Sequence, residues 1–217
     1  MGWSGRSSIL LVAASVAMSA LLLLAVGCGG DSKDDATDDA GGDGSAAPAS
    51  QPTTYTNDEF GFSVTYDAQR FDTVDEVAEE PDFNLVLVDS SQTDGPAAIR
   101  ISVGASGPDG PRFEPGSPET MEALEAQFAE FTKALPDADI GETEECTLGG
   151  LPALRVYVGG TIPGVPIDDP QLTGMIYGTA WADKGMFVLV GTPSPIWGEN
   201  EAGLQEVVDS ITIETGE

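Results

Sequence analysis

Residues 118–160 read PETMEALEAQFAEFTKALPDADIGETEECTLGGLPALRVYVGG. The first part repeats apolar residues at helical spacing. Met121, Leu124, Phe128, Phe131 and Leu135 fall along one stripe, and Glu119, Glu122, Glu125 and Glu130 lie mainly elsewhere. Ser117 before Pro118 supplies a capping side chain and a proline at the first helical position, and Pro136 stops the helix. The stripe either packs on a sheet or is presented to a partner; packing is the expected outcome. The second part changes period. In LPALRVYV, Leu154, Val156 and Val158 face one way and Arg155 and Tyr157 the other, the alternation of a half-buried strand. Gly149-Gly150 joins it to DIGETEECTL as a tight turn, a connection that antiparallel neighbours can use and parallel ones cannot. A single helix followed by a strand hairpin indicates α+β rather than alternating α/β.

The rest of the chain fits that reading. Upstream, YTNDEFGFSVTYD offers two strands about a turn, with Phe62, Val64 and Tyr66 on the buried side. Residues 67–82 are polar and irregular, and Phe71, Val74 and Val77 could form a short packed turn. FNLVLVDS (83–90) is apolar on both faces, which predicts a central strand. AAIRISVGA (97–105) alternates Ile99, Ile101 and Val103 against Arg100 and Ser102, and pairs with it across the turn residues 93–96. Residues 107–118 and 160–171 are Gly/Pro-rich loops, the second long enough for a rim or lid. Downstream, LTGMIYGTAWAD and GMFVLVGT form a hairpin through Asp183-Lys184-Gly185. ENEAGLQEVVDSI is a second helix with Leu204, Val207, Val208 and Ile211 on one face, and ITIE closes the domain as a short strand. The expected fold is α+β: an antiparallel sheet with two main helices packed on it.

The N-terminus is a different kind of sequence. Residues 1–8 are polar with one charge, Arg6, and residues 9–26 are an apolar run broken only by Ser15 and Ser19. That is the pattern of an export signal, although the run is also long enough for an uncleaved spanning helix. It ends Leu24-Ala25-Val26-Gly27-Cys28. This ending resembles the bacterial lipobox, with Ala25 standing where the pattern has an aliphatic residue and Leu24 one step earlier. The resemblance implies cleavage before Cys28, recognition of Leu24, Ala25, Val26 and Gly27 by the signal peptidase, and a diacylglyceryl thioether with a further acyl chain such as palmitate on Cys28. Two or three acyl chains hold a protein on a membrane stably where one does not. Residues 29–52 contain no aromatic and no branched aliphatic side chain, so they are expected to be a disordered acidic tether. Their six aspartates lack the order of a calcium-binding loop. The expected division is 1–27 signal peptide, 28–52 tether and 53–217 one domain.

The net charge is −29, and beyond residue 27 there are 37 acidic residues against 7 basic. Such a surface repels phosphate backbones and argues against nucleic-acid binding. The chain has no histidine, so the commonest general base and metal ligand is missing. The cysteines are Cys28 and Cys146; with Cys28 acylated, Cys146 has no intrachain partner. Its neighbours Glu142, Glu144 and Glu145 would raise a thiol pKa, which suits a small half-hydrophobic packing residue rather than a nucleophile.

YTNDEFGFSVTYD resembles the opening of PsbP/Mog1-like domains, LGGLPALRVYV their turn-then-strand segment, and MFVLVGTPSPIWGENEAGLQEVVDSITIE their ending. The likeness covers most of 54–215. It departs at Asp67-Ala68-Gln69-Arg70-Phe71, where the family often carries a proline and a tryptophan. The resemblance implies an α-β-α sandwich. It also implies kinship with small actinobacterial envelope lipoproteins of the LpqN type, which bind or scaffold, and it carries over no catalytic residues.

No nucleophile elbow, phosphate loop, CxxC or HExxH occurs in the sequence. Tyr157, Tyr177, Trp181 and Trp197 either line a pocket or belong to the core. The expectation is therefore a non-catalytic binding or scaffolding module on the extracytoplasmic face of the cell membrane. It would need no cofactor or metal, and its partner would be an envelope protein, glycan or lipid. The alternative is an envelope hydrolase working through a carboxylate pair. Lipid or small-molecule carriage would require an apolar cavity.

Overall fold

A computed structural model describes residues 51–73, 84–89, 97–133, 135, 138–161 and 171–216. Leu24, Ala25, Val26, Gly27 and Cys28, the tether up to residue 50, Val74, Val77, the turn 93–96, Pro136 and the loop 162–170 lie outside the described residues. In chain order the strands are β1 (Pro52–Asn57), β2 (Phe62–Asp67), β3 (Asp72–Thr73), β4 (Leu85–Asp89) and β5 (Ala97–Ala105). Helix α1 (Pro118–Lys133) is followed by β6 (Ala138–Leu148), β7 (Leu151–Thr161), β8 (Gln171–Trp181) and β9 (Lys184–Pro193). Helix α2 (Trp197–Asp209) and β10 (Thr212–Ile213) end the domain.

The expected class holds: α+β, with antiparallel sheets and two α-helices among the described residues. The expected single sheet becomes two. A large sheet has the order β3-β4-β5-β9-β8-β7-β6, and a small one has β1-β2-β10. β2 leaves the large sheet because Phe62, Val64 and Tyr66 bury one face against it, while β10 pairs along the other side of the hairpin. β4 was expected to be central. Among the described residues it lies next to the edge, with the two residues of β3 beyond it, yet Leu85, Val86 and Leu87 are all buried. An apolar run on both faces thus reports coverage, not position in the sheet.

Local chemistry explains most boundaries. Asn57 Oδ1 accepts from the Phe60 amide at 3.0 Å, and Gly61 takes the left-handed conformation that the β1–β2 turn requires. Ser117 Oγ accepts from the Thr120 amide at 3.2 Å and caps α1 as expected. Gly149 and Gly150 both have positive φ (60° and 84°), the requirement of a two-residue hairpin. The β8–β9 turn differs from the expected Asp183-Lys184-Gly185. Trp181 pairs with Lys184 and Ala180 with Gly185, so the turn is Ala182-Asp183 and Lys184 and Gly185 belong to β9. Ala182 adopts φ 48°. The crossing loop holds it there: the Phe113 amide donates to Ala182 O, and the Ser106 amide donates to Asp183 O at 2.7 Å.

The large sheet separates two apolar layers. On one face, α1 sets Leu124 and Phe128 against Leu154, Val156, Val158, Ile176 and Ala180, with Met121 and Phe131 partly buried beside them. On the other, the small sheet and α2 cover Ile99, Ile101, Met186, Val188 and Trp181 with Phe62, Val64, Leu204, Val207 and Ile211. Burial on this scale is the main favourable term in folding.

Candidate functional site

A gap in the packing lies under the C-terminal end of α1. Register places Ala98 of β5 opposite Gly191 of β9, Gly191 opposite Gly174 of β8, and Gly174 opposite Val158 of β7. Side chains alternate along each strand, so these residues share one face at one level. Across β5, β9 and β8 the sheet therefore offers a methyl group and two hydrogens. Phe131 and Leu135 lie above the row, and a cavity of about 80 Å³ remains between them. Leu172, Ile176 and Leu189 supply further walls, and Arg100 stands on the β5 side.

The two glycines keep their small size for different reasons. A Cβ on Gly174 would sit 2.2 Å from the Val190 carbonyl oxygen, so the neighbouring strand itself demands glycine there. A Cβ on Gly191 would meet nothing nearer than Thr173 O at 3.7 Å, an ordinary contact. Neither φ nor crowding requires glycine at 191; its effect is to leave the floor open. Further along β8, a Cβ on Gly178 would fall 2.8 Å from the Phe128 ring, so glycine there makes room for Phe128, whose ring tilts against that of Phe187 (centroids 5.9 Å apart).

A polar cluster lies on the opposite face. Tyr177 OH donates to Gln205 Oε1 at 2.6 Å, and Gln205 Nε2 donates to Asp209 Oδ1 at 2.8 Å. Arg155 donates to Glu144 Oε2 from Nε (3.0 Å) and Nη2 (2.8 Å). Cys146 is half-buried nearby. Burial raises its thiol pKa, Arg155 opposes this and Glu144 adds to it. Tyr177 is also raised, by burial first. A thiol that holds its proton is a poor nucleophile, which agrees with the packing role expected for Cys146.

Of the aromatics considered for a pocket, Tyr177 and Trp181 are core residues of the second layer, Trp197 packs partly against it, and Tyr157 is exposed. No local sequence signal marks Ala98, Gly174 and Gly191, because their alignment exists only in the register of β5, β9 and β8. Among the described residues the buried carboxylate is that of Asp89, paired with Arg70, and no cluster of three metal-ligating side chains occurs. Nor is any helix among them long and apolar enough to cross a membrane.

Several solved structures are similar to this chain in fold or in part of it. LpqN of Mycobacterium tuberculosis, described as involved in cell envelope biogenesis, matches with a TM-score of 0.54 at 14% identity, over 75% of this chain and 90% of that one. The cyanobacterial PsbP of Synechocystis matches with a TM-score of 0.49 at 14% identity, over 80% of this chain and 98% of its own. The Ran-binding protein Mog1p of Saccharomyces cerevisiae matches with 0.48 at 10%, over 76% and 96%. The likeness to LpqN establishes a shared fold. No protein-family model matches the chain, and no curated protein sequence does either.

Proposed function

We propose that this protein is an extracytoplasmic lipoprotein, held at the cell membrane through Cys28, whose domain binds the apolar part of a small envelope molecule. The observation that carries the binding role is the glycine-floored cavity under α1. Among the described residues its walls are apolar apart from Arg100 and Thr173, which is the composition that favours an alkyl group over a polar one. A lipid or another acylated envelope molecule matches that chemistry, so of the partners expected from sequence the cavity favours a lipid. The anchor rests on the lipobox-like ending at Leu24-Ala25-Val26-Gly27-Cys28 and on the acidic tether behind it. The part LpqN plays in cell envelope biogenesis is consistent with that location.

The carboxylate-pair hydrolase has less support. Among the described residues the cavity wall carries no aspartate or glutamate, and Asp89 sits in the second layer, bound by Arg70. The test is co-purification. The full-length protein is taken from its own membranes, extracted with organic solvent, and the released small molecules are identified by mass spectrometry. An alkyl-chain compound enriched on the parent chain and depleted at least fivefold on Gly191→Val supports the reading. Equal recovery from both chains contradicts it.

A further inference from the structure

β6 ends the large sheet. It pairs with β7 along its length and with no other strand among the described residues. Among the described residues nothing pairs with its outer row of backbone N–H and C=O groups, and Asp139, Glu142, Thr143, Glu144, Glu145 and Thr147 are all exposed. An open edge of eleven residues is a ready template for a further strand. Folded proteins seldom leave one so long without restricting what may pair with it.

Two features supply the restriction. The register slips between Ile140 and Thr143, so the strand bulges at Gly141-Glu142 and runs regularly only from Thr143 to Leu148. At about 3.3 Å per residue that run is roughly 20 Å long. Charge is the second. Glu144 and Glu145 project to opposite faces of the sheet, with Glu142 in the bulge beside them, and of the three only Glu144 has a cation bound, Arg155. A second copy laid edge to edge would set these carboxylates against their own kind, which destabilises a cross-strand pair. A segment bearing lysine or arginine would set opposite charges there instead. The other open edge with a sizeable run, β1, reads PTTYTN and carries no charge.

We infer that the outer edge of β6 is a docking edge for an extended, basic segment of a partner protein. The segment joins the sheet beside Thr143–Leu148 with its cationic side chains against Glu142, Glu144 and Glu145. Backbone pairing supplies the attachment, and the carboxylates select the charge of what attaches. The edge lies apart from the cavity, so the inference does not depend on the ligand-binding reading.

The test uses the full-length chain in detergent micelles and a ten-residue peptide alternating lysine and valine, with binding followed by isothermal titration calorimetry. A second peptide of identical sequence is N-methylated through its centre, which keeps its charge and removes the donors that pair. The account predicts saturable one-to-one binding of the first peptide, weakened at least tenfold by N-methylation. Glu142→Lys with Glu145→Lys on β6 is predicted to weaken it at least tenfold as well. Glu122→Lys with Glu125→Lys on α1 makes the same change in net charge and should leave it within twofold. Circular dichroism confirms that both doubles fold. No binding, equal binding of the N-methylated peptide, or equal loss in the two double variants overturns the inference.

Discussion

Arg70 donates from Nε to Asp89 Oδ2 at 2.6 Å, joining the corner after β2 to the end of β4. Asp89 has no solvent exposure, whereas the Arg70 side chain is 32% exposed. The same guanidinium donates from Nη2 to Asn200 Oδ1 at 2.9 Å, and Asn200 Nδ2 donates to Ile196 O at 2.9 Å. One cation thereby fixes the small sheet, the large sheet and the start of α2. It stands in the corner segment 67–71 that follows β2.

Removing that cation while the buried carboxylate stays is expected to be costly. Breaking a buried pair costs about 3–5 kcal/mol, and the partial exposure of Arg70 scales this down, so Arg70→Ala should lose about 2–3 kcal/mol in urea unfolding. Gly203 refines the test, because a Cβ there would lie 2.0 Å from Arg70 Nη1. Gly203→Ala should destabilise the parent chain by displacing the guanidinium. In the Arg70→Ala background the same change should stabilise by about 0.5–1 kcal/mol, the ordinary gain of alanine over glycine within a helix. The same sign in both backgrounds would contradict the pairing.

The two glycines of the cavity floor should respond in opposite directions. Gly191→Ala meets no crowding, and alanine restricts the unfolded chain, so the variant should gain about 0.5–1 kcal/mol. Gly174→Ala drives a Cβ into the Val190 carbonyl and should lose about 1–3 kcal/mol. Thermal unfolding of the two variants distinguishes them. A loss at Gly191 would mean that the residue serves the fold rather than the cavity.

Stability should fall on both sides of neutrality, for separate reasons. Burial raises Cys146 above its ordinary 9.0 and Tyr177 above 10.0, so each holds its proton more tightly folded than unfolded. Their contribution is complete below those ordinary values and is lost as the pH rises past them. Asp67 behaves conversely. Its Oδ1 accepts from the Gln69 amide at 2.9 Å and the Gln51 amide at 3.0 Å, which lowers its pKa below 3.8. That contribution is present above 3.8 and disappears as the pH drops through the lowered value. Urea midpoints measured against pH should show both limbs, with Tyr177→Phe flattening the alkaline one and Asp67→Asn the acid one.

Mass spectrometry of the chain isolated from membranes should find a first peptide beginning at Cys28 and carrying a diacylglyceryl group. One titratable thiol, Cys146, should then remain, reacting slowly until the protein is unfolded. An unmodified chain that still begins at Met1 would contradict the anchor.

Much of the fold is legible in the sequence because periodicity reports which way side chains point. Phe62, Val64 and Tyr66 are buried in alternation, and the α1 stripe from Met121 to Leu135 packs on the sheet. Periodicity does not say what covers a face. Arg100 and Ser102 look like the outward side of β5, yet they are 5% and 4% exposed. It does not give register either, and only register brings Ala98, Gly191 and Gly174 into one row. Nor does any local signal link Arg70 to an aspartate 19 residues away and an asparagine 130 away. At the β8–β9 turn Asp-Lys-Gly has turn chemistry, whereas the crossing loop fixes the bend one residue earlier.

Photolabelling tests the binding role of the cavity most directly. A long-chain alcohol carrying an alkyl diazirine is added to membranes containing the full-length protein, irradiated, and the labelled peptides are mapped. The account predicts label on the peptides that hold Phe131 and Leu135 or Leu172 and Ile176, falling at least fivefold in Gly191→Val. Label confined to other segments, or undiminished when the cavity floor is filled, would contradict it.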